Sequence, residues 1–161
     1  MKERKMFEVK DGARTLQFHG HYLGGSTSWK HGSTRWTEFD LYETDGGMYV
    51  LSRVGVSLIF HGAACPLVKK YNLQEVHFSK LEDDAIPCET CDPSEDVDLI
   101  FPEKDRYWAQ VSEEPKAVLD ALYKYDEGGA QYLTHVAKRL LEEASRKDLA
   151  INSLYKIEVI P

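Results

Sequence analysis

An α+β fold is predicted, with an antiparallel β hairpin or sheet in the N-terminal half and two helices at the C-terminal end. Three observations predict it. Period-2 alternation runs through residues 16–22. Two β-rich runs, 36–43 and 48–60, flank the turn Thr44-Asp45-Gly46-Gly47. A 3.6-residue apolar period then organises Leu133 to Ala144. Between these ends lies a segment of little regular pattern that holds all three cysteines.

The first strand rests on Leu16, Phe18, Gly20 and Tyr22 alternating with Gln17, His19 and His21, so that one face is apolar and the other polar. Gly24-Gly25-Ser26-Thr27-Ser28 is expected to break it, with a loop running on to Thr34. Trp36 to Glu43 and Met48 to Phe60 are expected to pair as a long hairpin. Val50, Val54, Val56, Leu58 and Phe60 supply the β-branched and aromatic bulk that suits a pleated surface, and Gly55 marks a bulge or bend. Short strands are expected at Gln74–Phe78 and Leu99–Phe101.

Asp105, Arg106, Tyr107 and Trp108 read as the approach to a first helix, with Ser112 as its N-cap, Pro115 in its first turn and Val118, Leu119, Leu122 and Tyr125 as its apolar stripe. The second helix carries Leu133, Val136, Ala137, Leu140, Leu141 and Ala144 on one face, and Arg146 and Lys147 in its last turn, where cations suit the helix dipole. Tyr155 to Ile160 reads as a closing strand.

Length and composition set limits on function. The chain has 161 residues, enough to bury a core unaided, and 42% hydrophobic with 29% charged residues is the balance of a globular protein. No apolar run approaches the ~20 residues of a membrane helix. The charged start Met1-Lys2-Glu3-Arg4-Lys5 leads into no apolar stretch of a secretory signal, so a cytoplasmic protein with reduced thiols is expected. The net charge of −7 is concentrated in the middle, where residues 81–127 carry 15 acidic and 4 basic side chains. Between Glu82 and Asp98 there are eight acids and no Lys or Arg. Such a block repels phosphate, and it makes tight duplex DNA binding by this region an unfavourable expectation.

The cysteines carry the sharpest chemistry. Cys88 and Cys91 form a Cys-x-x-Cys, whose tight turn aims two thiolates at one ion, and His61 precedes Cys65 by four residues, offering a second pair. Four nitrogen and sulfur donors in two close pairs describe a closed tetrahedral Zn²⁺ site of the structural kind. A redox Cys-x-x-Cys is the alternative, but it ordinarily opens a helix beside a strand, and Pro87 to Pro93 is not helix-like.

The runs Ser57-Leu58-Ile59-Phe60-His61-Gly62-Ala63-Ala64-Cys65, Val76-His77-Phe78 and Ile86-Pro87-Cys88-Glu89-Thr90-Cys91-Asp92-Pro93 together resemble the zinc-binding domain of the Ada DNA methylphosphotriester repair family. The resemblance spans Gly55 to Pro93, about a quarter of the chain, and its most specific part is Pro-Cys-x-x-Cys-x-Pro. It implies a zinc-organised fold with His61, Cys65, Cys88 and Cys91 as ligands. In that family the first ligand is the cysteine that accepts the methyl group, and here that position is His61. Imidazole binds zinc but is not the metal-activated thiolate that methyl transfer uses, so the resemblance implies fold and metal without that activity.

Weaker candidates lie nearer the N-terminus. His19 and His21 are either an acid–base or metal pair, or simply the polar face of a strand. Gly24 to Ser28, including Ser26, is rich enough in backbone N–H groups to cradle an anion but lacks the Lys of a P-loop. Trp29, Lys30, His31, Arg35 and Trp36 mix aromatic and basic groups in the manner of single-stranded nucleic-acid surfaces, or of a loop anchored by tryptophans.

The expected organisation is a β-rich region over 1–54, a zinc module over 55–93 and a helical region over 94–161 packing on the sheet, all in one compact domain. The expected function is that of a zinc-stabilised, non-enzymatic binding or regulatory protein whose partner is a protein or a nucleic acid, single-stranded rather than duplex. The alternative is an enzyme acting on nucleic acid or phosphate esters through His19, His21 and Ser26.

Overall fold

The structure is a computed structural model that describes residues 5–62, 64–70, 86–91, 99–100 and 105–156. It is an α+β protein with an antiparallel sheet of five strands and C-terminal helices. In chain order the strands are β1 (Lys5–Asp11), β2 (Arg14–Thr27), β3 (Arg35–Thr44), β4 (Tyr49–Ser57) and β5 (Ile59–Gly62). Helix α1 (Pro66–Lys70) and the short strands β6 (Ile86–Pro87) and β7 (Leu99–Ile100) follow. The chain continues through β8 (Asp105–Ser112), α2 (Pro115–Leu122), β9 (Lys124–Tyr125), β10 (Gln131–Tyr132), α3 (His135–Lys147) and α4 (Leu149–Tyr155). The main sheet has the order β1-β2-β3-β4-β8, and β6-β5-β7 and β10-β9 form smaller sheets.

The chain divides into two compact units. The first comprises Met1–Ser28, Thr37–Val54 and Tyr107–Pro161, and the second Trp29–Trp36 and Gly55–Arg106.

In the first unit, β1 pairs with β2 from Lys5↔Gly20 to Asp11↔Arg14. The turn uses Gly12 at φ 60°, a conformation that favours glycine, and Arg14 bonds Asp11 at 2.8 Å. That turn also reaches β8. The Gly12 N–H donates to the Tyr107 carbonyl at 2.9 Å, and the Ala109 N–H donates to Asp11 Oδ1 at 3.1 Å. The sheet therefore curls until its two edge strands touch, which satisfies backbone groups that an open edge would expose.

The curl gives the sheet two apolar faces. Val9, Val50 and Ala109, with Leu16, Phe18 and Tyr42, occupy one. Leu23, Leu41, Tyr49 and Leu51 on the other pack with Val118, Leu119 and Leu122 of α2, Ala137, Leu140, Leu141 and Ala144 of α3, and Ile151 of α4. Thr134 caps α3 by accepting from the Ala137 N–H, and Asp148 caps α4 by accepting from the Ala150 N–H. Asp148 is buried and also takes a 2.6 Å hydrogen bond from the Tyr49 hydroxyl.

Several expectations are corrected here. Strand β1 was not foreseen. Strand β2 does not end at Gly24 but continues to Thr27 through a one-residue bulge between Tyr22 and Gly24. Both glycines are closely approached: a Cβ on Gly24 would meet the Glu143 side chain of α3 at 3.1 Å, and one on Gly25 would clash with the Tyr22 hydroxyl and Asp40 of the sheet. The expected strand over 48–60 is two strands, β4 and β5. Asp105 to Trp108 do not approach a helix but form β8, and the N-cap of α2 is Glu114 rather than Ser112. Tyr125 leaves the apolar stripe and lies exposed on β9. Tyr155 ends α4 instead of opening a strand. The expected strand at Gln74–Phe78, the continuation to Ile160 and most of the acidic block lie outside the described residues. Among the described residues no helix is long and apolar enough to cross a membrane.

Candidate metal centre

The second unit gathers His61, Cys65, Cys88 and Cys91 from two stretches of chain. His61 lies on β5. Because strand residues alternate in direction, Phe60 and His61 cannot share a face, yet both are buried. Strand β5 is central in its small sheet, since β6 runs parallel to it with Ile59↔Ile86 and Phe60↔Pro87, and β7 runs antiparallel with His61↔Ile100. After Gly62 the chain turns, and the Cys65 N–H closes the turn on the Gly62 carbonyl at 3.0 Å. This brings Cys65 back towards His61 just before α1.

The second pair follows from β6. The Cys88 N–H donates to the Phe60 carbonyl at 2.9 Å, which carries on the parallel register of Phe60↔Pro87 and sets Cys88 beside His61. A turn over Glu89 and Thr90 then swings Cys91 round, and the Gly62 N–H donates to its Sγ at 3.4 Å. Each pair is thus locked by a backbone bond to the other segment.

One donor atom from each of the four residues lies within 4.8 Å of the other three. Around an ion about 2.3 Å from sulfur, a tetrahedron of donors has edges of about 3.8 Å, so the four are already grouped on the scale of one coordination shell. His61, Cys65 and Cys88 are buried, at 1%, 4% and 5% exposure, and no disulfide ties up the thiols. His61 Nδ1 is buried with no hydrogen-bond partner. An orphaned polar atom in such a position is costly unless something accepts its lone pair or its proton. Burial, aided by the Arg35 charge, holds His61 below its ordinary pKa, which favours the neutral imidazole that ligates metals.

The thiols differ from one another. Burial pushes the Cys91 thiol up to about 11, reinforced by the neighbouring Cys65 and Cys88 and opposed by the Gly62 N–H. Burial works in the same sense at Cys88, but the N–H groups of Cys91 and Thr90 outweigh it and hold that thiol below its usual range. Three adjacent sulfurs cannot all ionise side by side without a cation, and a bound metal is the ordinary solution. The four residues are placed to hold a metal ion.

The other candidates are not assembled into a site of this kind. His19 is exposed, and His21, two residues along β2, is bonded through Nε2 to Glu43 at 2.7 Å. Gln17 on the same face bonds Glu8 at 3.4 Å. The Ser26 hydroxyl donates to the Val136 carbonyl at 2.6 Å, and the Gly25 N–H faces the Glu143 carboxylate at 3.4 Å. The expected anion cradle is therefore occupied by the protein's own groups. In the second unit, Lys30 and His31 are exposed on a turn closed by the Ser33 N–H on the Lys30 carbonyl, with Gly32 at φ 84°. Trp29 is 52% exposed, Arg35 is exposed and Trp36 is half-buried. Residue types alone did not single out Gly62, whose N–H and carbonyl bind both cysteine turns. Its position directly after the histidine was the only signal.

A comparison with family models, with curated proteins and with solved structures finds no match.

Proposed function

We propose that this chain is a zinc-stabilised, non-enzymatic binding or regulatory protein, and that its residues 55–93 form an Ada-type zinc module. The observation that carries the reading is the closed donor set of His61, Cys65, Cys88 and Cys91, with a buried imidazole nitrogen that has no other partner. One imidazole and three thiolates suit Zn²⁺ over harder cations, and a site with four protein donors leaves no open position for substrate. The proposed likeness extends to metal and local fold. Methyl transfer is not part of it, because His61 stands where the accepting thiolate would be. Thiols kept for a metal fit a reduced compartment such as the cytoplasm.

The partner surface proposed is the turn over Trp29–Trp36. It has two basic residues, no acid and an exposed tryptophan, features that stack and neutralise a single strand better than a duplex. The acids between Glu82 and Asp98 work against duplex binding within the reach of charge in salt, about 8 Å. The enzyme reading has less support, since His21 and Ser26 are each held in structural hydrogen bonds.

Metal analysis of purified protein is expected to find about one zinc per chain. His61→Cys is expected to keep it. Recovery of fully folded, metal-free protein would sink the proposal. Fluorescence titration of Trp29 with oligo-dT is expected to show salt-sensitive binding that Lys30→Ala and Arg35→Ala weaken, with duplex DNA binding more weakly. Turnover of nucleic acid that is lost in His21→Ala would instead restore the enzyme.

A further inference from the structure

We propose that the His61–Cys65–Cys88–Cys91 centre is a peroxide-responsive switch in which Cys91 is oxidised first and Cys65 then closes a disulfide onto it. The inference rests on the reading of these four residues as a metal site.

Access selects the first thiol. Cys65 and Cys88 are buried, whereas Cys91 is only half-buried and ends a turn whose Glu89 and Thr90 are exposed. A small oxidant therefore reaches Cys91 before the others, and coordination would hold its sulfur as the thiolate that peroxide needs. Position selects the second thiol. The Cys91 sulfur lies within 4.8 Å of the sulfurs of both Cys65 and Cys88. The Cys88 sulfur is itself engaged by the N–H groups of Thr90 and Cys91 within its own turn. Cys65 approaches from a separate segment. The donor atoms lie within 4.8 Å, so the two sulfurs need close only a short gap to reach the disulfide length of about 2.05 Å.

The chemistry balances with hydrogen peroxide as oxidant. The Cys91 thiolate attacks one peroxide oxygen, an S–O bond forms, the O–O bond breaks and hydroxide leaves. The Cys65 thiolate then attacks the Cys91 sulfur, an S–S bond forms, the S–O bond breaks and a second hydroxide leaves. Two thiolates lose two electrons, peroxide gains them, and two protons from solvent convert the hydroxides to water.

The centre is left with His61 and Cys88, two donors instead of four, and its hold on the metal is lost. The turns at Gly62–Cys65 and Cys88–Cys91 then lack a common anchor. The Trp29–Trp36 turn belongs to the same unit, where the Leu58 N–H donates to the Thr34 carbonyl at 2.9 Å. Oxidation would thus disorganise the proposed partner surface along with the metal site.

The test uses the zinc-loaded full chain, hydrogen peroxide and a colorimetric zinc chelator, with differential alkylation and mass spectrometry of the products. One equivalent of zinc is expected per chain, released together with a Cys65–Cys91 disulfide, and recovered on adding dithiothreitol and zinc. Cys91→His keeps four nitrogen and sulfur donors and is expected to release zinc at least tenfold more slowly. Equal rates in that variant, or a Cys88–Cys91 disulfide in the wild type, would overturn the proposal. Should the variant not fold, the wild-type disulfide map alone decides. An organomercurial that releases zinc where peroxide does not would sink the switch and leave the metal site standing. Protein purified without metal would sink the metal site itself.

Discussion

Among the described residues, the two units bury different kinds of side chain. In the first, twelve buried residues form one continuous apolar cluster between the sheet and α2, α3 and α4. In the second, the buried side chains among the described residues are Val56, Phe60, His61, Cys65 and Cys88, and three of these five are candidate metal donors. Fully burying a Leu-sized side chain stabilises by about 1.5–3 kcal/mol, so the first unit has enough apolar contact to stand by itself. Among its described residues the second has little of that, and coordination by the candidate donors would supply the difference, apparent binding energies of about 10–16 kcal/mol being typical of structural zinc sites. Burial thus means different things in the two units. In the first it gathers apolar side chains, while among the described residues of the second it gathers the candidate donors.

The largest effect should come from removing the metal. Chelation, or Cys88→Ser, is expected to abolish amide protection at Ile59–Gly62 and Ile86–Cys91 while α3 stays protected. Hydrogen-exchange mass spectrometry reads both at once. Loss of protection in α3 to the same degree would break the contrast between the units.

The converse experiment acts on the apolar core. Leu140 is 0% exposed on α3, and Leu140→Ala is expected to cost about 2–5 kcal/mol through lost transfer energy and a residual cavity. Denaturant unfolding followed by far-UV circular dichroism measures it. The metal content should not change, and a zinc-depleted variant would mean that the core and the centre are energetically one.

A smaller effect sharpens the picture of the first unit. Tyr49→Phe removes the hydroxyl that donates to buried Asp148, at an expected cost of about 1–3 kcal/mol at neutral pH. The same contact has a pH signature. Burial first, and then the hydrogen bond to Asp148, raise the Tyr49 pKa, and burial pushes Tyr42 up to about 12. With folded pKa values above the unfolded value of about 10, the native state binds more protons than the unfolded one. The stabilisation is fully present below about pH 10 and declines as pH rises through the folded values. The variant should lose stability less steeply above pH 10, and parallel curves would remove Tyr49 from the explanation.

Much of the candidate centre was legible because metal ligation depends on residue type and short spacing. Cys88-x-x-Cys91 and His61-x-x-x-Cys65 are each placed by one local turn. The face of α3 was legible for a similar reason, since its 3.6-residue period is local. The hairpin of β1 and β2 was missed although Asp11-Gly12 marks it, with Phe7 and Val9 before the turn and Leu16 and Phe18 after. Its first strand is mostly exposed and charged, which masks the alternation.

What the sequence by itself determined is therefore local: the donor set, the helical stripe, the turn at Thr44–Gly47 and the α+β class. Tertiary structure alone decided that Gly24 and Gly25 stay in a strand, where a Cβ on Gly24 would meet Glu143 of α3 and one on Gly25 would meet the Tyr22 hydroxyl and Asp40 of the sheet. It also decided that Asp105 to Ser112 extend as β8, because the partner strand β4 is about fifty residues distant along the chain and no local window contains it. Which groups His21 and Ser26 bond was decided in the same way. Glu43 and Val136 meet them only after folding, and a side chain's chemistry depends on what its hydrogen bonds already hold.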